Sequence, residues 1–312
     1  MQALLDTIAT MEPGADVRRI FHGRGGRYPG CEHLLLDAYP PVWLLTSFEV
    51  LEAAQLQTVH EALSQRQQQL APDQPLNWVY QCRAKGAQET RLMAGEVPEP
   101  HVVQEDGTRY RVHVLRGQNH GFFPDMAEGR RWVRKYIPGV QRARVLNLFA
   151  YTCAFSVVAM QAGARQVTNV DMSQGALAIG QQNHQLNGIT QGAGFLAHDL
   201  FSTWGKVSRA GPYDLIVVDP PSYQKGSFVA TKDYARVMRR LPDLLMPGGH
   251  VLLCLNAPEL GTDFLRSQMA ELAPQLEFVQ RLPNPPVLAD VDEERALKVL
   301  LYRAPLEPSA SA

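Results

Sequence analysis

The alternation of apolar runs and helical segments along residues 143–273 constrains the fold most strongly. Five apolar runs of strand length occur there: ARVLNLFA (143–150), QVTNVDM (166–172), GAGFLAHD (192–199), DLIVVDPP (214–221) and HVLLCLN (250–256). Three of them are almost continuously apolar, which is typical of strands that are covered on both faces. The alternation predicts a doubly wound α/β fold around a parallel sheet. Two later runs, 277–282 and 296–304, predict a terminal antiparallel pair, for seven strands in all.

The first 120 residues follow a different pattern. Several β-rich runs surround one long helical stretch at 52–69, and Asp106-Gly107 separates two further β-rich runs, which is a strong hairpin signal. These features predict a smaller α+β domain with an antiparallel sheet over residues 1–120, followed by the α/β domain over 121–304. The final PLEPSASA (305–312) predicts a disordered tail.

Composition excludes several classes of protein. With 45% hydrophobic residues the chain can build a large core, which excludes a disordered or collagen-like protein. No run approaches the roughly 18 apolar residues of a membrane-spanning helix, and the N-terminus lacks the features of a signal peptide. Four widely spaced cysteines without a CxxC pair favour a reducing cytoplasm over disulfides or structural zinc. We therefore expect no metal and no membrane partner.

The charges are unevenly distributed. A net charge of −1 excludes a basic nucleic-acid coat, yet nine basic residues lie between Arg109 and Arg144, and four arginines lie between Arg18 and Arg27. Guanidinium groups match phosphate geometry, so these segments either contact phosphates or form a solvated surface. Within the second segment, the glycine-rich GRGGRYPG (23–30) favours a plain turn over a contact with RNA.

Polar residues follow four of the predicted parallel strands: Asn147 to Thr152, Asp171, Asp199, and Asp219-Pro220-Pro221. Ligands of a doubly wound sheet bind outside these carboxyl ends, where the strand order reverses. The first turn, NLFAYTCAF (147–155), lacks the GxGxxG of dinucleotide sites, and the chain contains no GxxxxGK[ST] of ATP or GTP sites. This bulkier turn favours a ligand without phosphates.

Two carboxylates indicate the rest of that ligand. Asp171 lies 22 residues after Phe149, where an acidic side chain can accept hydrogen bonds from both hydroxyls of a ribose. Asp199 ends the third strand, where it can accept from an exocyclic amine. Either residue could instead cap the next helix. Together with the glycine-poor turn, they predict adenosine without phosphates.

The sharpest motif is Asp219-Pro220-Pro221-Ser222-Tyr223. Prolines have no N–H to donate, so the carbonyls and the Asp219 carboxylate are left as acceptors that can bind and polarise an amine or a ring nitrogen. Tyr223 can stack on a planar base. The alternative is a rigid loop with a packed tyrosine.

The chain resembles class I S-adenosylmethionine-dependent methyltransferases in the ordered motifs VLNLFAYTCAFS, NVDMSQGAL, NHQLNG, HDLFSTW, YDLIVVDPPSY and PGGHVLLCLN. The resemblance is greatest to the large-subunit rRNA methyltransferases of the RlmI/RlmK group, and GQNHGFFPDMAEGRRWV (117–133) is similar to the segment before their first strand. It implies the doubly wound, seven-stranded, Rossmann-like methyltransferase sheet. It covers roughly residues 100–304, and the preceding unit is similar to the group's middle domain. We expect no counterpart of the RNA-binding PUA domain of RlmI-type members.

The resemblance implies S-adenosylmethionine as the cofactor and a set of residues around it. Asp171 would hold the ribose, Met172 would pack on the adenine, and Asp199 with Leu200 would recognise the adenine edge. Asp125 and Arg130 would close the pocket. The remaining lining residues would be Asn147, Phe149, Tyr151, Thr152 and Asp219.

Two cysteines depart from the family pattern. Cys153 stands where the family often has glycine. Cytosine carbon-5 methyltransferases of this type need a thiolate that adds to the ring, but the expected position holds Asn256, and Cys254 lies about 6–7 Å deeper in the strand. Asn256 matches the RlmK-type pattern, whose target is a guanine ring nitrogen. A base nitrogen can attack a sulfonium methyl directly, so positioning and electrostatics suffice. The expected catalytic set is Asp219, Pro220, Pro221, Tyr223 and Asn256.

The leading hypothesis is a cytoplasmic methyltransferase that acts on a base of rRNA, with a ring or exocyclic nitrogen favoured. Alternatives are a cytosine carbon-5 rRNA methyltransferase and a methyltransferase for a small molecule or a protein. Two other classes remain: a non-catalytic, cofactor-binding RNA module, and a nucleotide-dependent oxidoreductase on the same fold. Neither the modified nucleotide nor the oligomeric state follows from the sequence, and a homodimer is one option.

Overall fold

The computed structural model describes residues 1–221 and 228–306, together with the backbone of residues 223–224. The chain forms two compact units. The first comprises Met1–Asp125 and Pro285–Glu293, and the second comprises Met126–Asn284 and the chain from Glu294 onward. The division into functional domains at residue 120 stays a prediction, and residues 307–312 of the expected tail lie outside the described residues.

The helices are α1 (Gln2–Thr10), α2 (Ala53–Leu70), α3 (Ala127–Tyr136), α4 (Ala154–Gln161), α5 (Gln174–Leu186), α6 (Leu200–Ala210), α7 (Ala230–Met238), α8 (Leu241–Leu244) and α9 (Thr262–Leu272). The strands are β1 (Arg18–His22), β2 (Leu34–Tyr39), β3 (Val42–Ser47), β4 (Asn77–Cys82), β5 (Glu89–Ala94), β6 (His101–Glu105), β7 (Thr108–Val112), β8 (Arg144–Leu148), β9 (Gln166–Asp171), β10 (Ala193–Ala197), β11 (Tyr213–Val218), β12 (Tyr223–Gln224), β13 (Phe228–Val229), β14 (Leu245–Leu255), β15 (Glu277–Arg281) and β16 (Lys298–Arg303). None of the helices among the described residues combines the length and the apolar character that a bilayer crossing requires.

The first unit contains a five-stranded sheet in the order β1-β2-β3-β4-β5. Its core includes Leu4 of α1, Leu63 of α2, and Trp78 and Tyr80 of β4, all fully buried. The predicted hairpin is confirmed, because β6 and β7 pair antiparallel around Asp106 and Gly107, both with positive φ. The prediction of an antiparallel sheet is wrong for β3 and β4, which pair in parallel. The crossover helix α2 between them returns the chain to the end where β3 began, and such a return makes the next strand parallel.

The second unit contains the seven-stranded sheet, in the order β10-β9-β8-β11-β14-β16-β15. The strands β8, β9, β10, β11 and β14 are parallel, and β16 runs antiparallel to both of its neighbours. The predicted doubly wound sheet and its terminal antiparallel pair are therefore confirmed. The strand order reverses between β8 and β11, which are hydrogen-bonded neighbours.

Helices cover both faces of this sheet. Val133 of α3 and Val158 of α4 pack on one face, with Val145 of β8. On the other face, Val207 of α6 packs with Leu146 of β8, and α7 and α9 join the same core. Because neighbouring strand residues point to opposite faces, both Val145 and Leu146 must be apolar. This explains the continuously apolar runs in the sequence.

Candidate functional site

The predicted site residues of the second unit lie at the carboxyl edge of the parallel strands. Leu148 of β8 pairs with Val170 of β9 on one side and with Val218 of β11 on the other. The segments that follow these strands therefore start at the same level of the sheet. They contain the turn at residues 149–153, Asp171, and the diproline segment at 219–221. This is the edge at which ligands of doubly wound folds bind.

The turn after β8 has an unusual backbone. Phe149, Tyr151 and Cys153 have φ values of 57°, 46° and 64°, which is the left-handed region that favours glycine. A side-chain-bearing residue costs about 1–3 kcal/mol in such a strained conformation, which persists only where its surroundings hold it. Here the amide of Ala150 donates to the carbonyl of Val170 at 3.0 Å, and the amide of Cys153 donates to the carbonyl of Ala150 at 2.7 Å. The turn thus takes a glycine-like path without glycine.

Asp171 connects this turn to the next helix. Its Oδ2 accepts a hydrogen bond from the amide of Tyr151, and its Oδ1 accepts one from the amide of Ser173, both at 2.8 Å. The hydroxyl of Ser173 in turn caps α5 by accepting from the amide of Ala176 at 3.1 Å. Each carboxylate oxygen has two lone pairs, so both keep capacity for a further donor. A fixed, half-buried carboxylate with spare acceptor capacity fits the two hydroxyls of a ribose.

Two neighbouring positions also fit an adenosyl group. Met172 is 51% exposed, although methionine is apolar, and offers a surface on which a flat ring can pack. Asp199 caps α6, because its Oδ1 accepts from the amide of Phe201 at 3.2 Å. Its Oδ2 meets no donor among the described residues, so the capping role leaves one oxygen for an amine. Leu200 is buried in the core, so its contact with the adenine stays a prediction.

Asn147 belongs to a buried polar network. Its Nδ2 donates to Oδ1 of Asn169 at 2.9 Å, and Nδ2 of Asn169 donates to the hydroxyl of Ser156 at 3.0 Å. That hydroxyl lies 2.8 Å from Nε2 of His184, whose Nδ1 lies 2.7 Å from the carbonyl of Gly180. Burial lowers the pKa of His184. The ring is therefore neutral at pH 7, with Nδ1–H donating to Gly180 and Nε2 accepting from Ser156.

This network connects β8 and β9 with helices α4 and α5. These hydrogen bonds were not predicted from the sequence. We expected Asn147 to line the cofactor pocket. His184 has partners at both ring nitrogens and is only 2% exposed. One signal was available: Asn147 and Asn169 interrupt two apolar runs and are partners in adjacent strands. The place of Asn147 in the pocket stays a prediction.

Phe149 is tied to the loop after the diproline segment. Its ring contacts the ring of Phe228 edge to face at 5.1 Å, and Phe228 contacts Tyr234 in the same way at the same distance. The hydroxyl of Tyr234 donates to the carbonyl of Cys254. Burial, and next the neighbouring Cys254 and Asp219, raise the pKa of Tyr234 well above its usual value. This aromatic row connects the turn after β8 with the end of β14.

Within the diproline segment, Pro220 is buried, and Asp219 and Pro221 are half-buried. Ser222 and the side chain of Tyr223 lie outside the described residues, so the expected stacking role of Tyr223 stays a prediction. The backbone of β12, which begins at Tyr223, pairs antiparallel with β13.

Asn256 and Cys254 differ sharply in accessibility. Asn256 is exposed immediately after β14, whereas Cys254 is 1% exposed and packs into the core. The backbone after Asn256 is held by Lys298, for which no role was predicted from the sequence. Lys298 is fully buried, and its Nζ donates to the carbonyl of Ala257 at 2.9 Å and to the carbonyl of Glu294 at 2.8 Å. The backbone next to Asn256 is therefore anchored.

The remaining predicted residues lie in different surroundings. Thr152 is buried, and its carbonyl accepts from Nδ2 of Asn183 at 2.9 Å. Arg130 is buried in α3 of the second unit, and Asp125 is half-buried in the first. The closing role expected of Asp125 and Arg130 stays a prediction. Among the described residues, no group of three His, Cys, Asp or Glu side chains could hold a metal ion.

Comparison with known proteins identifies the family. A family model described as S-adenosylmethionine-dependent methyltransferase matches residues 18–303. The chain belongs to this family. The resemblance stated from the motifs is thereby confirmed, and S-adenosylmethionine is the family's cofactor. Asp171, Met172 and Asp199 have the acceptors and the apolar surface that its adenosyl group requires.

The relatives include two types of rRNA enzyme. The chain is 31% identical to the ribosomal RNA large subunit methyltransferase I of Aeromonas salmonicida over 230 residues, which are 70% of this chain and 57% of the relative. It is 36% identical to the large subunit methyltransferase K/L of Psychrobacter sp. over 184 residues, which are 56% of this chain and 22% of that protein. The match thus spans little more than half the length of the first relative.

Solved structures share the fold over nearly the whole chain. A candidate SAM-dependent methyltransferase from Streptococcus mutans has a TM-score of 0.79 at 22% identity and covers 97% of this chain and 78% of its own. A candidate methyltransferase solved in complex with SAH has a TM-score of 0.77 at 22% identity, with 97% and 79% covered.

Proposed function

We propose that this chain transfers the methyl group of S-adenosylmethionine to a nitrogen of an rRNA base, and that it does so in the cytoplasm. One observation carries the proposal: Asp171 holds the left-handed turn after β8 through the amide of Tyr151, at the edge where the sheet order reverses. The membership of the methyltransferase family gives this geometry its chemistry.

The chain's own residues would hold the cofactor from several strands. The free lone pairs of Asp171 would accept from the ribose hydroxyls, Met172 would cover one face of the adenine, and Oδ2 of Asp199 would accept from its amine. Phe149, Tyr151 and Thr152 would shape the methionine side of the pocket. When bound, S-adenosylmethionine supplies a methyl group on a sulfonium, which an electron-rich atom can accept.

The residues after β11 and β14 favour a nitrogen acceptor over carbon 5 of cytosine. Carbon 5 becomes nucleophilic only after a thiolate adds to the ring, and Cys254 is buried within its strand. A base nitrogen has a lone pair of its own and needs only orientation and electrostatic support. The Asp219 carboxylate can accept a hydrogen bond from an N–H of the base, and the exposed amide of Asn256 can bond its edge. Pro220 and Pro221 would keep the adjacent carbonyls available as acceptors.

The names of the relatives support RNA as the substrate. Both relatives described above are named for methylation of the large ribosomal RNA. The two relatives are enzymes of different types, and the position of Asn256 favours the type that methylates a base nitrogen. The arginine-rich segments would add a sequence-independent grip on the RNA backbone.

The test is methyl transfer by the purified chain from S-adenosylmethionine labelled in its methyl group. Protein-free rRNA from cells that lack this protein, tRNA, and ribosomal protein are offered separately as acceptors. We expect label in rRNA, recovered on a nitrogen-methylated nucleoside. Label on 5-methylcytidine would replace the nitrogen assignment, and label only in protein would overturn the RNA assignment.

A further inference from the structure

Three turns of the first unit meet at one end of its sheet. His22 at the end of β1 pairs with Leu35, near the start of β2, and Leu34 pairs with Ser47 at the end of β3. Ser47 also pairs in parallel with Cys82 at the end of β4. The residues that follow β1, β3 and β4 therefore lie together, and among them are Arg24, Phe48 and Arg83.

Arg24 lies over an aromatic ring. Its guanidinium carbon is 4.1 Å from the centre of the Phe48 ring, and that of Arg83 is 5.9 Å from the same centre. Such cation–π contacts orient a guanidinium and leave its edge free for other groups. The three residues, which we call the Arg24–Phe48–Arg83 cluster, bring two cations to one ring.

Arg24 lies in a tight turn whose backbone leaves no room for a side chain at Gly23. Gly23 begins a 3₁₀ turn (Gly23–Gly25) directly after β1. A Cβ at Gly23 would lie 1.7 Å from the carbonyl oxygen of Cys31, so no other residue fits there without a backbone shift. The amide of Gly26 closes the turn on the carbonyl of Gly23 at 3.0 Å. The glycines of GRGGRYPG therefore do form a turn, as expected, and that turn holds an arginine over Phe48.

Arg24 and Arg83 differ in what their donors contact. The Nε of Arg83 donates to Oε1 of Gln81 at 2.6 Å, and one of its terminal nitrogens donates to the carbonyl of Gln118. Arg24 is exposed, and none of its N–H groups finds an acceptor among the described residues. An arginine that is oriented by a ring but keeps all its donors is the form in which guanidinium binds phosphate bidentately.

Charges of both signs surround the cluster. The charge of Arg19 acts on Arg24, the charge of Asp37 acts on Arg83, and the backbone of Asp290 lies beside the turn, with its Cα 3.2 Å from where a Cβ on Gly25 would lie. The buried carboxylate of Asp37 is paired with Arg19 at 2.5 Å, and Arg19 also contacts Nδ1 of His22 at 2.8 Å. Burial and the charges of Arg19 and Arg24 lower the pKa of His22 to about 4, so its ring is neutral at pH 7. Although Arg24 as a whole residue is exposed, partial burial of its guanidinium, and next the charge of Arg19, lower the pKa of Arg24.

One further carboxylate lies next in sequence to the ring. Glu49 follows Phe48 and points into solvent, with Oε2 3.8 Å from Nδ1 of His33. It does not contact Arg24. A bound anion would therefore relieve the repulsion between the cations of the cluster.

We propose that the Arg24–Phe48–Arg83 cluster is an RNA-contact site, at which Arg24 binds a phosphate of the RNA backbone and Arg83 adds to the positive field. The site rests on the proposed function insofar as its ligand is the RNA substrate. Because the site contacts a phosphate and no base edge, it would add affinity and help to orient the RNA without any preference for a base sequence.

The test compares the binding of a fluorescein-labelled RNA hairpin by the full chain and its variants, by anisotropy at several salt concentrations. Arg24→Gln should weaken binding by about threefold to tenfold and reduce the slope of log affinity against log salt by about 1. Arg27→Gln is the matched control, because it removes the same charge from an exposed position of the same loop. The general electrostatic contribution of the arginine-rich segment is common to both variants, so Arg24→Gln should have the larger effect. Phe48→Leu keeps apolar volume but removes the ring, and it should weaken binding in the direction of Arg24→Gln.

Equal losses of RNA affinity in Arg24→Gln and Arg27→Gln would overturn the site. Tighter binding of polyglutamate than of RNA would also overturn it, because it would indicate an acidic protein as the ligand. Methyl transfer to rRNA by the wild-type chain is measured in parallel. If the wild-type chain methylates rRNA but Arg24→Gln binds the RNA hairpin with unchanged affinity, only the proposed contact site is wrong. If the wild-type chain does not methylate rRNA but Arg24→Gln selectively weakens RNA binding, the proposed reaction is wrong and the contact site is supported.

Discussion

Cys153 and Gly180 are complementary in shape. A Cβ built on Gly180 would lie 2.5 Å from Sγ of Cys153, so the thiol occupies the space that a side chain on α5 would need. Cys153 is fully buried, with a φ of 64°, and burial together with the charge of Asp171 raises its pKa well above the usual value. The thiol is therefore protonated and serves packing. Cys153 has room for its side chain because the facing residue of α5, Gly180, has none.

Gly180→Ala should destabilise the second unit by about 1–3 kcal/mol, because the added methyl group overpacks the contact with Cys153. The free energy of unfolding in urea measures this. Gly205→Ala is the control, since Gly205 lies in helix α6 with no atom within 4 Å of an added Cβ. That variant should be neutral or up to about 1 kcal/mol more stable.

The double variant Cys153→Gly/Gly180→Ala should recover part of the loss. Glycine removes the overlapping thiol and adopts the left-handed φ without strain. The coupling between the two changes should be about 0.5–3 kcal/mol in the favourable direction. Strict additivity of the two single effects would show that the thiol does not determine the packing at Gly180.

Asp171→Ala should weaken the binding of S-adenosylhomocysteine by about 10-fold to 100-fold, because hydrogen bonds to a charged group are each worth about 1.5–3 kcal/mol. Isothermal titration calorimetry measures the affinity. Asp263→Ala removes an exposed carboxylate from the first turn of α9 and should leave the affinity unchanged. An Asp171→Ala variant that binds as tightly as the wild type would remove the assignment of the ribose to Asp171.

Cys254→Ala should retain methyl transfer within about threefold of the wild type, with a stability loss of about 1 kcal/mol from the truncated side chain. Alanine is chosen because a serine hydroxyl would be buried at this position. Asn256→Ala, two residues further along the chain and directly after β14, should lower the rate instead. Complete inactivity of a folded Cys254→Ala variant, with a covalent RNA complex trapped on the wild type, would restore the carbon-5 mechanism.

The first unit should lose stability as the pH falls from 6.5 to about 4. Burial, and next the charge of Arg83, lower the pKa of His120 to about 4. In this window the unfolded chain takes up a proton that the folded chain excludes, so stability rises with pH. The urea midpoint at several pH values measures the slope. His120→Gln should reduce the slope in part, because His22 of the same unit also has a pKa of about 4 and keeps its contribution. His198→Gln, at an exposed position of the second unit, is the control. An equal slope in the wild type and in both variants would contradict the assignment.

Much of the fold could be predicted from the sequence, because patterns within short segments determine most of its helices, strands and turns. Apolar runs of strand length between helical segments require a sheet covered on both faces, and Asp106-Gly107 requires a tight turn. The parallel pairing of β3 and β4 was missed because it depends on where α2 returns the chain. The place of residues 285–293 in the first unit was missed because packing over long sequence separation leaves no periodic signal.

The candidate site was predicted in part. Acidic residues at strand ends are visible in a sequence, and Asp171 and Asp199 do follow β9 and β10. Asp199 caps α6, which is the alternative that the sequence left open, and the contacts of both residues with the cofactor stay predictions. The left-handed turn at Phe149, Tyr151 and Cys153 was not predicted, because residues other than glycine adopt it only under tertiary constraint.

The buried network of Asn147 left one signal, the interruption of two apolar runs by Asn147 and Asn169, but its partners Ser156 and His184 come from two separate helices. The anchoring role of Lys298 likewise depends on carbonyls that only the folded chain brings to it.

The measurement that tests the central claim most directly is mass spectrometry of the nucleosides of rRNA from cells with and without this protein. We predict that one nitrogen-methylated nucleoside is lost when the protein is absent, that the wild-type chain restores it, and that the Asp171→Ala variant restores it poorly. Identical nucleoside profiles in the two strains would contradict the claim that this chain methylates rRNA.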